Sequence, residues 1–230
     1  MNEEANSTQG TEDEEEVVLE RLVPEEVDDT PQPDRGDRVK PIFDILKADK
    51  VEMNFDDIRV NFNRLWQYEE ADDLAEEEQH LMTVALFIYL AHLALDDFNI
   101  HTVKARGIVT QALTDWTREE VEKQVAEEKA TDNPFKTFVD NGEVRMDAMY
   151  SWRGFLRDTK KATDKNWDFK MKKCWFHSFF IRYGRVDFIE SACDFDRIPW
   201  KAREDYVDLK LSNTFSKLGN FCQFKYSPSK

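Results

Sequence analysis

Apolar residues recur at helical spacing through most of the chain. Ile42, Phe43, Ile45 and Leu46, then Phe55, Ile58, Val60, Phe62, Leu65 and Trp66, predict a helical pair around a loop near residues 49–54. Leu81 to Leu95 is apolar nearly all round, interrupted by Thr83 and His92, and a helix of that pattern belongs at the centre of a core. It falls short of the roughly 20 apolar residues that a bilayer crossing needs. Thr117 followed by Glu120 fits a capping box and predicts a charged helix from there to about Ala130. Asn133-Pro134 and Asn141-Gly142 punctuate the chain, and Met149 to Lys161 and Trp175 to Ile189 carry aromatics at mixed helical spacings. With no alternation of strands and helices and no internal repeat, the pattern predicts an all-α domain of roughly seven or eight helices.

Composition divides this chain of 230 residues further. The net charge is −16, but it is unevenly spread. Residues 1–40 hold 14 acids and 4 bases, residues 41–158 hold 25 and 13, and residues 159–185 invert the balance with eight bases against two acids. The first 40 residues also lack aromatics and have one main apolar cluster, Val17 to Val23, too little to offset the entropy of ordering. The predicted organisation is a disordered acidic N-terminal arm at 1–40, a helical core at 41–212 and an extended C-terminal tail at 213–230. The acidic N-terminus lacks the basic and then apolar pattern of a secretory signal, so no export is expected.

Little enzyme chemistry stands out. Seven scattered glycines form no phosphate-binding loop. Cys174, Cys193 and Cys222 are too far apart for a CxxC motif, and their odd number suits a reducing compartment better than a disulfide framework. His92 with Asp96 has metal-ligand spacing, but a core histidine bonded to a polar neighbour is the stronger reading. Cys174 and His177 have the spacing of a nucleophile and its base, yet no orienting acid or oxyanion site accompanies them, which favours packing. These readings predict no enzyme, no metal and no cofactor.

The most distinctive stretch is Lys160 to Arg185, where basic residues alternate with Trp167, Phe169, Trp175, Phe176, Phe179, Phe180 and Tyr183. Cations neutralise phosphates and aromatic faces stack on bases, the combination that binds single-stranded nucleic acid; most of these aromatics are also expected in a core. The run from Ile181-Arg182-Tyr183 through Asp187-Phe188-Ile189-Glu190 to Arg197-Ile198-Pro199-Trp200-Lys201-Ala202-Arg203-Glu204 resembles the core signature of coat proteins from flexuous filamentous plant viruses, in particular the potyvirus branch. Ser151-Trp152-Arg153-Gly154 is similar to the motif whose arginine faces the RNA in that family.

The resemblance implies a capsid protein that polymerises into a helical filament around single-stranded RNA, located in the virion and the host cell cytoplasm, with no membrane partner. Arg153 and Asp187 would match the motif arginine and aspartate, with Arg157, Ser151, Arg182, Arg185, Lys172 and Lys173 completing the RNA-binding set. A carboxylate behind a guanidinium fixes its fork for a phosphate or base. The competing reading is a helical protein-interaction adaptor whose acidic arm binds a basic partner.

Overall fold

A computed structural model describes residues 33–46 and 53–229 of the chain. Its elements run α1 (Lys40–Ile45), α2 (Phe55–Tyr68), α3 (Glu76–Asp96), α4 (Thr102–Lys129), α5 (Pro134–Met149), β1 (Leu156–Ala162), β2 (Trp167–Lys173), α6 (Trp175–Arg182), α7 (Ile189–Lys201), β3 (Val207–Ser212) and β4 (Cys222–Pro228). The four strands form one sheet in the order β1-β2-β4-β3, antiparallel between all neighbours. The fold is therefore α+β, which corrects the all-α expectation.

Strict alternation explains the sheet. In β2, Trp167, Phe169 and Met171 are buried, while the charged residues between them point outward. Register places Trp167 opposite Tyr226, Phe169 opposite Phe224 and Met171 opposite Cys222, and β3 adds Leu209 beside Tyr226 and Leu211 beside Phe224. The inner face is therefore an aromatic and aliphatic floor, and Lys170, Lys210 and Lys225 lie on the opposite face. The segment expected as a C-terminal tail thus supplies β4, an interior strand.

The helices cover that floor. The sequence reading of residues 81–95 agrees with α3, whose residues Val84 to Ile88 are fully buried at the centre of the main core. His92, on the same helix, hydrogen-bonds Ser191 Oγ through Nε2 at 2.8 Å and stacks on Phe188, and burial pushes its pKa down to about 4. Asn133 caps α5 by accepting from the Lys136 N–H at 2.9 Å, and Pro134 sits in the first turn, where its missing N–H costs nothing. By contrast, α4 runs unbroken through Thr117. The Thr117 hydroxyl donates back to the Leu113 carbonyl at 2.8 Å, so it starts no helix.

At the N-terminal side, residues 1–32, including the Val17 to Val23 strip, lie outside the described residues. Residues 33–40, expected within the arm, carry a 3-10 turn at Gly36–Arg38, and Val39 is fully buried. Asp34 accepts hydrogen bonds from Asn63, the Gly36 N–H and Arg59, which hold its carboxyl down to about 2.

Gly142, read from sequence as a turn, lies inside α5 and is buried. A Cβ there would come within 2.6 Å of the Trp167 ring, so the indole lies directly on the bare helix backbone. Helix propensity alone would make Gly142→Ala stabilising by about 1 kcal/mol. Displacing a buried indole in a packed core costs about 1–3 kcal/mol, so we expect a net loss of stability in urea unfolding. A Gly142→Ala protein as stable as the parent would mean that Trp167 is not seated as described.

Candidate active site

A cavity of roughly 700 Å³ lies between the inner face of the sheet and helices α4, α5 and α7. Helical spacing aims one stripe of each helix into it. α4 contributes Trp116, Glu120 and Gln124; α5 contributes Phe138, Gly142, Arg145 and Met149; α7 contributes Ala192, Cys193 and Asp196. The aromatic residues of β2 and β4 form its floor.

Asp196 is the singular residue in this wall. It occupies a position on the apolar stripe of α7, and its Oδ1 accepts a hydrogen bond at 2.8 Å from Tyr150, which follows the end of α5. Oδ2 has no protein partner among the described residues. Burial pushes the carboxyl up to about 6, against the Tyr150 bond and the nearby Arg197 cation. The side chain is half-buried because part of its surface faces the cavity. Tyr150 is in turn pushed well above the usual phenol range by burial and by Asp196, so it remains a donor at neutral pH.

The thiols and imidazoles of the cavity are uncharged, whereas Glu76, Glu77 and Glu120 add carboxyl groups to its lining. Burial pushes Cys174 well up and Cys193 to about 12, and it also raises Cys222, so all three are thiols at neutral pH. His177, beside Phe215, and His80, stacked on Trp116 with ring centroids 5.2 Å apart, both have pKa values lowered by burial and remain uncharged at neutral pH. The Cys174 and His177 pair thus lines the cavity with a protonated thiol, not an activated nucleophile.

The cavity cation is Arg145. Glu128 stands 3.6 Å from its guanidinium, but that carboxylate is fully buried and already engaged. Its oxygens accept from Arg203 Nε and Nη2 at 2.6 and 2.7 Å and from the Tyr206 hydroxyl at 2.5 Å. Arg203, also fully buried, spends its other donors on the Pro199 carbonyl and Gln124. Among the described residues Arg145, at the cavity wall, makes the one ion pair with Glu128 and no other side-chain hydrogen bond.

None of the eight residues expected to contact RNA lines this cavity. Arg153 is exposed in the turn before β1, and its carbonyl accepts from Lys173 at 2.5 Å. Asp187 pairs with Arg185 at 3.0 Å and makes no ion pair with Arg153; Arg185 also reaches Asp96. Arg157 is held by Glu143 and Asp147, Arg182 by Glu69, Lys172 by Asp158, and Ser151 donates to Glu78. Every cation of the set other than Arg153 is bonded within the chain, and the intended Arg153 and Asp187 pair does not form.

The motif residues behind the coat-protein resemblance have structural roles as well. Arg203 is the buried partner of Glu128, Phe188 packs between His92 and Arg185, and the Tyr183 hydroxyl donates to Glu69. Sequence inspection missed Asp196, Tyr150 and Arg145. The available signal for Asp196 was a carboxylate among Ile189, Ala192 and Cys193 on the apolar stripe of a helix.

A solved structure, the Fe(II) unliganded H-NOX protein from K. algicida, aligns with a TM-score of 0.38 at 7% identity over 85% of this chain and 96% of that one. No curated protein matches. The family described as L-2-amino-thiazoline-4-carboxylic acid hydrolase matches residues 79–226, from α3 to β4, well over half of the chain. That match overturns the viral coat protein, its capsid function, its virion location and the expectation of no enzyme. Its span takes in nearly every wall of the cavity, Asp196, Tyr150 and Arg145 included, and the chain belongs to the L-2-amino-thiazoline-4-carboxylic acid hydrolase family.

Proposed function

We propose that the cavity is the active site of a hydrolase that adds water to an amidine- or amide-type carbon, with Asp196 as general base. The observation that carries this reading is the Asp196 carboxyl itself: half-buried, raised to about 6, fixed through one oxygen by Tyr150 and, among the described residues, free at the other. A general base works best when its pKa lies near the operating pH, and positioned proton transfer contributes about 10²–10⁴-fold to rate.

The family's namesake substrate has a ring carbon bonded to one sulfur and two nitrogens, an electrophile for water. Water held on Oδ2 gives its proton to Asp196 as its oxygen bonds to that carbon. Asp196 then returns the proton to a departing nitrogen as the carbon–nitrogen bond breaks, restoring the carboxylate. Tyr150 is a positioning residue that keeps Oδ2 turned to the cavity. Arg145 suits the substrate carboxylate, since a guanidinium fork matches two carboxylate oxygens. The cavity thiols, all protonated, serve as packing.

The test is the pH dependence of 2-amino-thiazoline-4-carboxylic acid hydrolysis. The rate constant kcat/KM is expected to fall on the acid side with a midpoint near pH 6, where Asp196 takes up its proton. Tyr150→Phe removes a bond that favours the carboxylate, so the acid limb should move to higher pH while KM changes little. A limb that stays in place in Tyr150→Phe would remove Asp196 from the role of base.

A further inference from the structure

We propose that one end of the sheet is a docking surface for a bilayer of anionic phospholipids. Three large apolar side chains stand in solvent there. Trp152, in the turn before β1, is 82% exposed, Leu156, the first residue of β1, is 52% exposed, and Leu218, in the turn between β3 and β4, is 99% exposed. Strand pairing brings them together. Leu156 lies opposite Lys173 at the end of β2, and Met171, two residues earlier, lies opposite Cys222 at the start of β4. Two strand spacings, about 10 Å, therefore separate β1 from the strand that follows the Leu218 turn. Neither packing nor backbone geometry calls for leucine at 218. Its φ is +59°, in the left-handed region that glycine or asparagine enters more readily than a γ-branched side chain.

The charge around these side chains suits anionic headgroups. Arg153, Lys172, Lys173 and Lys217 are exposed on the same end, and Lys170 lays its ammonium over the Phe221 ring at 4.5 Å. In a chain of net charge −16 this is a local reversal. Lys173 donates to the Arg153 carbonyl and so keeps its full charge. Asp158 is shared by Lys160 and Lys172, which leaves that trio net positive, and Glu78 is occupied by the Ser151 hydroxyl. At physiological salt the screening length is about 8 Å, so a lipid surface senses this rim and not the acidic body of the protein. Each basic residue near an anionic surface strengthens binding about fivefold, a gain that salt erodes.

A bilayer fits this surface better than a folded partner does. Trp152 and Leu218 project from turns, and a protein would need a separate pocket for each, whereas the interfacial layer of a bilayer takes any projecting apolar group. Indole side chains concentrate in that layer. Four of the five cations at the rim are lysines, whose ammonium is a point charge without the fork that arginine offers to a fixed partner. Trp167, Phe169 and Tyr226 are buried, so a single-stranded nucleic acid finds no ladder of rings to stack on. The expectation of no membrane partner rested on the coat-protein resemblance, which the family match overturns. The turn that bears Leu218 also sends Thr214 and Phe215 into the cavity wall, so a docked molecule holds its cavity close to the lipid interface. The docking surface stands independently of the hydrolase reading.

The test is co-sedimentation of the full chain with vesicles of phosphatidylcholine alone and of phosphatidylcholine with about one-third phosphatidylserine. Binding to the anionic vesicles is expected to be at least about tenfold tighter and to weaken as salt rises. Trp152→Ser combined with Leu218→Asn should lower that binding by about tenfold or more. Lys173→Gln combined with Lys217→Gln should lower it by about twentyfold. All four side chains are exposed, so circular dichroism should show unchanged folding in both variants. Indole emission should shift to shorter wavelength when anionic vesicles are added, and Trp152→Ser should lose that shift. A protein that stays in the supernatant with anionic vesicles overturns the proposal, and so does equal binding by the parent and both variants. Capture on immobilised poly-glutamate that the lysine pair abolishes, without any vesicle binding, overturns it in favour of an acidic protein partner.

Discussion

Asp196→Asn is expected to gain about 1–3 kcal/mol of stability at pH 7 while losing about 10²–10⁴-fold in kcat. Burial raises the folded carboxyl from its ordinary 3.8 to about 6, so the fold favours the protonated form. That contribution is complete below about pH 4 and is lost as pH rises through 6, leaving the ionised side chain at a disadvantage of at most about 3 kcal/mol at pH 7. The lower end of the range allows for the part of Asp196 that faces the cavity. Asparagine carries no charge and keeps an oxygen for the Tyr150 hydroxyl, so the disadvantage disappears with the base. Urea unfolding at pH 7 and pH 4 checks the account, because the gain must shrink toward zero at the lower pH. A gain independent of pH, or none at all, would place Asp196 in an ordinary solvated setting.

The second large effect concerns the ion pair behind Arg145. Glu128 and Arg203 are both fully buried and joined by two hydrogen bonds. Glu128→Leu leaves the Arg203 guanidinium buried without its counter-ion, and Arg203→Met leaves the carboxylate in the same position. Each single change should cost about 3–5 kcal/mol. The double change removes both charges, and apolar replacements of similar volume often match a buried ion pair, so it should cost less than either single change. A double-mutant cycle in urea measures this directly; losses that simply add would show that the two charges act independently. The Glu128→Leu protein should also bind carboxylate ligands more weakly, since Glu128 helps to orient Arg145.

These two sites mark where sequence inspection stops. The helix at residues 81–95 was legible because an all-apolar run has one stable home, inside a core, and Asn133-Pro134 was legible because cap and first turn are local chemistry. The sheet was equally written in the chain. Trp167-Asp168-Phe169-Lys170-Met171, Val207-Asp208-Leu209-Lys210-Leu211 and Cys222-Gln223-Phe224-Lys225-Tyr226 all alternate strictly, the mark of a strand with one face buried. The same interleaving of lysines with rings suggested a nucleic-acid surface, whereas the alternation sends rings to one face and lysines to the other. Asp196 and Tyr150 lie 46 positions apart and meet only through the packing of α5 and α7. Arg203 illustrates the converse: a residue that completes a suggestive local motif is fully consumed by a partner 75 positions away.

Because β4 lies between β2 and β3, its position has a consequence for biosynthesis. A growing chain that has released every earlier element still holds those two strands with no partner between them, and the rings of Trp167 and Phe169 lack their stacking partners Tyr226 and Phe224. Until Cys222 to Pro228 emerges from the ribosome, the nascent protein exposes a sticky, half-built sheet, a natural target for chaperone binding. Catalytic competence should therefore arise late and in one step when the strand inserts, and a stalled translation product ending before it should be inactive however complete its helices are.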